Sequence, residues 1–224
     1  MESPPENVSK PVVPPDTAES RTLQFDFTWR KFKGLISEVN DPEAKPLYIV
    51  SWHAFKRPQM RFKSPTTAAA PAAAVTTTDD DDDEDAAYMG SGTFHNFSIN
   101  ADYEVRGRSG TLTAQKRFKT VYTYPSYAFS DTDQAVTMTW TSSSGFKTWD
   151  FVCMDEQQMP VARFSANVWG LKKLGLIDFM GPHAMSDAVR DEIVVTGLTL
   201  FYCMVLRSSS ITSFFAAAFS QPSR

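Results

Sequence analysis

The chain reads as a mainly β protein in which ten to twelve antiparallel strands close into a barrel around one hydrophobic helix near the C-terminus. Hydropathy alternates with a period of two along most of the sequence between residues 22 and 179. Turn-forming clusters punctuate it, as at Gly107-Arg108-Ser109-Gly110, Ser142-Ser143-Ser144-Gly145 and Gly181-Pro182. A single late segment, residues 193–206 (IVVTGLTLFYCMVL), is apolar on every side. Many half-buried strands need something to close around, and a sheet that curls into a barrel removes its own edges. A wide barrel leaves an interior to fill, and an apolar helix is a suitable plug.

The elements follow in order. Residues 1–20 hold five prolines in the first fifteen positions and lack a basic stretch followed by an apolar one. They read as an extended, disordered leader and not as a secretory signal. In 22–29, Leu23, Phe25, Phe27 and Trp29 alternate with Thr22, Gln24, Asp26 and Thr28. Strands at 47–52 and 59–63 precede residues 64–86 (SPTTAAAPAAAVTTTDDDDDEDA), which offer almost nothing large to bury. We read 64–86 as a disordered insertion in one domain spanning 21–220, because strand patterns resume on its far side and loop closure grows only logarithmically with length. Further strands are expected at 93–99, 103–106, 111–118 and 120–124. In 135–141, Val136, Met138 and Trp140 alternate with threonines, and the Ser142–Gly145 turn leads into 146–154 as a hairpin. Strand 161–169 places Ala162, Phe164, Ala166 and Val168 on one face, and 174–179 completes the set.

The 14 residues of 193–206 make about 21 Å of helix, short of a hydrocarbon core of roughly 30 Å. Asp191 and Glu192 precede the segment and Arg207 follows it, an order that opposes the helix dipole at both ends. The β-branched run Ile193 to Thr196 and Gly197 argue the other way, since glycine inside a helix costs about 1 kcal/mol relative to alanine. An all-round apolar helix of this length belongs in the middle of a domain.

Composition bounds the function. The 224 residues are 42% hydrophobic with 17 Phe and 5 Trp, ample for a sizeable core. The formal charge is −4, and removing the seven acids of residues 79–85 leaves the rest at +3. Neither value suggests a nucleic-acid binder. Cys153 and Cys203 each lie in an apolar stretch outside any CxxC, so buried reduced thiols and a cytoplasmic setting are expected.

No catalytic motif is visible. His53, His95 and His183 fall in no metal-ligand spacing, and no nucleophile elbow, Walker A loop or dinucleotide fingerprint occurs. Asp131-Thr132-Asp133 has no third ligand in register and reads as a turn. We therefore expect a non-enzymatic protein with no metal or cofactor. The recurring constellation is cation-Phe-cation, at Lys31-Phe32-Lys33, Arg61-Phe62-Lys63 and Arg117-Phe118-Lys119. On a strand each Phe faces the core and both cations face out. Arg106, Arg108 and Lys116 add charge, and arginine matches phosphate bidentately. Arg61, Lys63, Arg106, Arg108, Lys116, Arg117 and Lys119 are thus candidate contacts for lipid headgroups; the same pattern also serves as the polar outer face of a strand.

The run Pro160-Val161-Ala162-Arg163-Phe164-Ser165-Ala166-Asn167-Val168-Trp169, then Gly181-Pro182 and Asp191-Glu192-Ile193-Val194-Val195-Thr196-Gly197-Leu198-Thr199-Leu200, resembles the fungal branch of the tubby C-terminal-like superfamily, which includes LURP-one-related proteins and phospholipid scramblases. The resemblance spans residues 23–219 apart from the insertion, and implies about twelve strands closed around a C-terminal helix. It also implies binding to phosphoinositides through basic surface residues, although none of the family's positions aligns one by one here. A barrel that binds anionic phospholipid headgroups or a protein partner, peripheral to a membrane, is the leading expectation. The alternatives are a scramblase-like protein with 193–206 inserted in the bilayer, and a small-ligand carrier or enzyme using the lumen.

Overall fold

The computed structural model describes residues 21–28, 33–41, 43, 45–53, 56–65, 88–95, 98–116, 119–144, 148–167 and 173–219. Among these, twelve strands precede one helix: β1 (Arg21–Thr28), β2 (Lys33–Glu38), β3 (Pro46–Trp52), β4 (Met60–Lys63), β5 (Gly90–Phe94) and β6 (Ala101–Val105), then β7 (Arg108–Ala114), β8 (Val121–Ser126), β9 (Val136–Ser144), β10 (Thr148–Met154), β11 (Pro160–Asn167), β12 (Lys173–Phe179) and α1 (Asp187–Phe219). Each strand pairs antiparallel with its sequence neighbours, and β1 pairs with β12, from Arg21↔Phe179 to Asp26↔Lys173, to close the barrel. The closed barrel around a C-terminal helix is the expected architecture.

Strict up-and-down connectivity sends alternate connections to opposite ends. The near mouth, where the helix begins, carries the β2–β3, β4–β5, β6–β7, β8–β9 and β10–β11 connections. The far mouth carries those between β1–β2, β3–β4, β5–β6, β7–β8, β9–β10 and β11–β12. The alternation read from sequence sets the two sides of the wall. Leu23 and Phe25 on β1, Met138 and Trp140 on β9, and Ala162, Phe164 and Ala166 on β11 all point inward and are buried. The apolar side of the wall is the lumen side, the reverse of a lipid-spanning barrel.

Every residue of α1 from Asp191 to Phe201 is buried, so the helix fills the lumen. It packs most closely on β5 and β6, and β5 is built for that approach. Two of its three inward positions are Gly90 and Gly92, where an added Cβ would lie 2.7 Å from Val195 Cγ2 and 2.5 Å from Thr199 Oγ1. The opposite side is filled by rings: Phe201 lies 5.4 Å from Phe164, 6.0 Å from Trp149 and 6.3 Å from Phe151, centroid to centroid. Each fully buried side chain of this size contributes about 1.5–3 kcal/mol. Trp140 Nε1 donates to Thr196 Oγ1 at 3.2 Å, and that hydroxyl donates to the Glu192 carbonyl at 2.7 Å, so two polar groups within the core are satisfied.

Several boundaries differ from expectation. The helix begins six residues before 193 and runs 33 residues to Phe219, so Arg207 lies inside it, donating from Nη1 to Tyr122 Oη at 2.7 Å. Contact with the wall sustains the helix through Gly197 and the β-branched run. β2 was not expected, because its inward position beside Ile36 is Gly34, where a Cβ would lie 2.5 Å from Phe25 Cε2. The expected turn at Gly107–Gly110 is a two-residue hairpin one position earlier. Val105 pairs with Arg108, and Arg106 and Gly107 take φ of 50° and 77°, the left-handed pair that matches strand twist. β7 therefore starts at Arg108 and ends at Ala114, not 111–118, and β5 ends at Phe94, short of 99. β9 runs on to Ser144 through the expected turn, whose tip at 145–147 lies outside the described residues, as do the leader and most of the insertion.

Candidate ligand site at the near mouth

The first turns of α1 enter the near mouth carrying Asp187, Arg190, Asp191 and Glu192. A helix enclosed by a barrel has no solvent side, so two of these acids are buried: Asp191 is 3% exposed and Glu192 6%. Their surroundings differ.

Asp191 is fully compensated. Arg106 Nε donates to its Oδ2 at 2.7 Å, Arg190 Nη2 lies 3.3 Å from its Oδ1, and the Tyr48 hydroxyl also donates to Oδ1. Arg190 Nε donates in turn to the Tyr48 oxygen. Burial, and then the adjacent Asp191 carboxylate, hold the Tyr48 phenol well above the ordinary tyrosine range, so it stays a donor. Arg190 continues to Asp187 at 2.7 Å, and Arg21 joins Asp187 at 3.5 Å and Glu38 at 2.6 Å. Three arginines and three carboxylates are interleaved, an arrangement that offsets the penalty of burying each charge.

Glu192 lacks such partners. Its Oε2 receives one long bond, 3.4 Å from the Ala128 amide, and its Oε1 is buried without a hydrogen-bond partner among the described residues. Burial raises its pKa above the usual glutamate value, opposed by the Ser126 hydroxyl, the Ala128 amide, the Tyr124 hydroxyl and the Tyr127 amide that face it.

Glu192 lines a cavity of about 350 Å³ shared with Tyr103, Arg106, Arg108, Pro125 and Tyr127. The cavity exists because the wall opens there. β7 and β8 pair only at Thr113↔Thr123 and Ala114↔Tyr122, toward the far mouth. Toward the near mouth Pro125 has no N–H for the ladder. The Tyr103 hydroxyl instead donates to the Pro125 carbonyl at 2.6 Å, crossing Gly110, where a Cβ would lie 2.3 Å from that oxygen. The rim is cationic. Arg106, its side chain 52% exposed, is anchored by Asp191 on one edge, and Arg108 sits 4.6 Å over the Tyr127 ring.

The six basic candidates among the described residues divide between the two mouths. Arg106 and Arg108 flank the cavity at the β6–β7 hairpin. Arg61 and Lys63 face outward from β4 while Phe62 is buried, as expected, and both cations lie over Tyr88, at 5.0 and 5.1 Å. Lys63 shares a lateral row with Met89 and Arg106, since Phe62 pairs with Gly90 and the Arg106 amide donates to the Met89 carbonyl at 2.8 Å. Lys116 and Lys119 are exposed beyond β7, in the β7–β8 connection at the far mouth. A whole strand, about 20 Å, separates them from Arg108, so these candidates do not share one mouth. Arg117, Lys31 and Phe118 lie outside the described residues.

Other chemistry is sparse. Burial raises the pKa of both free thiols, Cys153 and Cys203, so neither is an activated nucleophile. Among the described residues no three His, Cys, Asp or Glu side chains gather as metal ligands. His95 pairs with Asp102 at 2.7 Å, and His183 packs edge-on to Phe129. No helix among the described residues is long and apolar enough to cross a membrane, and 193–201 is buried within the barrel.

The fold and this mouth define the class: a twelve-stranded meander barrel plugged by its own helix, with a cationic lateral opening. No family model matches the chain, and no curated protein or solved structure matches it.

Proposed function

We propose that this chain is a non-enzymatic, tubby-like barrel that attaches to anionic membrane lipids by taking a headgroup phosphate at the near mouth. The observation that carries this reading is the convergence of Arg106 and Arg108 on one cavity, with Lys63 in the same lateral row as Arg106. Arg108 has no ion pair among the described residues, and a guanidinium fork held on an aromatic face is a good phosphate contact. The superfamily resemblance supports the same ligand chemistry. The acidic run 79–85 belongs to the β4–β5 connection, whose two ends are anchored at this mouth beside Lys63 and Arg106. We read the run as an intramolecular competitor for the phosphate site.

Vesicle co-sedimentation tests this reading. The full chain should bind phosphoinositide vesicles at low salt and release them as salt rises, because exposed charges are screened over about 8 Å at physiological ionic strength. Arg108→Glu should remove most binding, paired Lys116→Glu and Lys119→Glu substitutions at the far mouth should leave most of it, and deletion of residues 79–85 should strengthen it. Equal losses from the two mouths would reduce the effect to general surface charge. No binding by either the intact chain or the deletion would end the membrane reading.

A further inference from the structure

The cavity between β7 and β8 has two chemically opposite ends, only one of which a phosphate uses. Its rim presents Arg106 and Arg108; its lining includes Glu192, a residue 6% exposed, with Oε1 unpartnered among the described residues and Oε2 held by one long bond. A buried carboxyl that meets only neutral groups is costly to ionise, and a plain phosphate does nothing to relieve it. The nearby Asp191 shows the contrast within the same helix turn, where two arginines and a phenol satisfy the acid completely. Among the described residues no side chain supplies Glu192 with a cation, and its neighbours Tyr103, Tyr124 and Ser126 are neutral. What is missing is an N–H-rich cation of small size, entering from the side where the wall lacks ladder hydrogen bonds.

We infer that the cavity recognises a phosphate ester carrying a primary ammonium, with the phosphate against Arg108 and Arg106 and the ammonium against Glu192. This inference rests on the reading of the arginine rim as a phosphate site and adds the second half of the ligand. A volume of about 350 Å³ accommodates such a headgroup whole. An ammonium brings three donors to a carboxylate with free acceptor capacity and converts an unfavourable buried acid into an ion pair. The same chemistry occurs in an amine-bearing phospholipid headgroup and in a free phosphoamine, so two arms are needed.

In the first arm, calorimetric titration of the full chain compares O-phosphoethanolamine with ethyl phosphate, which has the same phosphate without the amine. O-phosphoethanolamine should bind at least about tenfold more tightly, the range of a charge-assisted hydrogen bond. Glu192→Gln, checked for folding by its thermal melt, should erase that preference while leaving ethyl phosphate unchanged. Arg108→Ala should weaken both. In the second arm, vesicles containing phosphatidylserine are compared with vesicles of equal charge containing phosphatidylglycerol. Preference for the amine-bearing lipid, displaced by O-phosphoethanolamine, assigns the site to a headgroup; binding of the free compound without vesicle preference assigns it to a soluble phosphoamine. Equal affinity for the two free compounds, or a preference that survives in Glu192→Gln, overturns the inference. If anionic vesicles are still bound through Arg108, the phosphate reading stands without it; if neither vesicles nor either compound bind, both fall.

Discussion

At the scale of single residues, close approach and burial decide more than propensity does. Gly92 faces Thr199 so tightly that an added methyl would sit 2.5 Å from its hydroxyl oxygen. Thr199 Oγ1 is itself buried without a partner among the described residues. Gly92→Ala should therefore destabilise by about 1–3 kcal/mol through overpacking. Thr199→Ala alone should be close to neutral, because it removes an unsatisfied hydroxyl along with a methyl. The double variant should recover at least half of the loss, and denaturant unfolding of the four proteins measures that coupling. Additive effects would mean that the helix does not meet β5 at this pair.

Glu192 makes a second residue-scale prediction, and its sign follows from linkage. Its pKa is raised in the folded state, mainly by burial, so the native protein holds the proton where the unfolded chain has released it. Stability contributed by the neutral acid is present below the unfolded pKa, about 4.3, and is lost as pH rises through the folded value. Glutamine does not titrate. The melting temperature of Glu192→Gln minus that of the native chain should thus be small near pH 4 and grow toward pH 7. A difference that stays flat across this interval would show that the carboxyl group is solvated.

At the scale of elements, α1 is the core of the barrel rather than an attachment to it. Leu200 is fully buried inside the barrel. Leu200→Ala should cost about 2–5 kcal/mol and leave a folded protein of lower melting temperature. Leu200→Asp buries an unpaired charge, which exceeds what a domain of ordinary stability tolerates, so this variant should be recovered unfolded or insoluble. A soluble, cooperatively melting Leu200→Asp protein would contradict the position of the helix inside the wall. The β6–β7 hairpin is the other decisive element. Its two-residue turn fixes Val105 opposite Arg108, and that register brings Arg108 to the rim.

At the scale of the molecule, closure of β1 on β12 ties both ends of the strand region together, and the one long connection interrupts a hairpin rather than a crossover. β4 and β5 are neighbours, joined at Phe62↔Gly90 with the Met89 amide donating to the Phe62 carbonyl at 2.9 Å. Replacing residues 64–86 by a six-residue Gly/Ser linker should therefore preserve cooperative melting. Shortening the loop about fourfold favours folding by about 1 kcal/mol, a shift of a few degrees. Loss of expression or of a single transition would show that the insert contributes to the fold.

Which side faces inward was readable from the sequence for β1, β4, β9 and β11, because strand sidedness is a local property of period two and their large apolar residues lie on one side. The plug was readable for the same reason: a helix apolar all round has to be enclosed. β2 was hidden because Gly34 stands where the alternation needed a large side chain, and the ends of α1 were hidden because the all-round apolar segment marks only its enclosed middle. The sequence marks Asp191 and Glu192 as acids that oppose the helix dipole, and only the surrounding wall buries them. Only the tertiary structure decided which cations share a mouth. A one-residue change in the β6–β7 turn and the early end of β7 place Arg106 and Arg108 at one end and Lys116 and Lys119 at the other, since meander connectivity reverses ends at every turn. The opening itself is tertiary as well. It arises where Pro125 interrupts the ladder, Tyr103 crosses Gly110 to reach its carbonyl, and Glu192 on α1 is held within the barrel close to the gap.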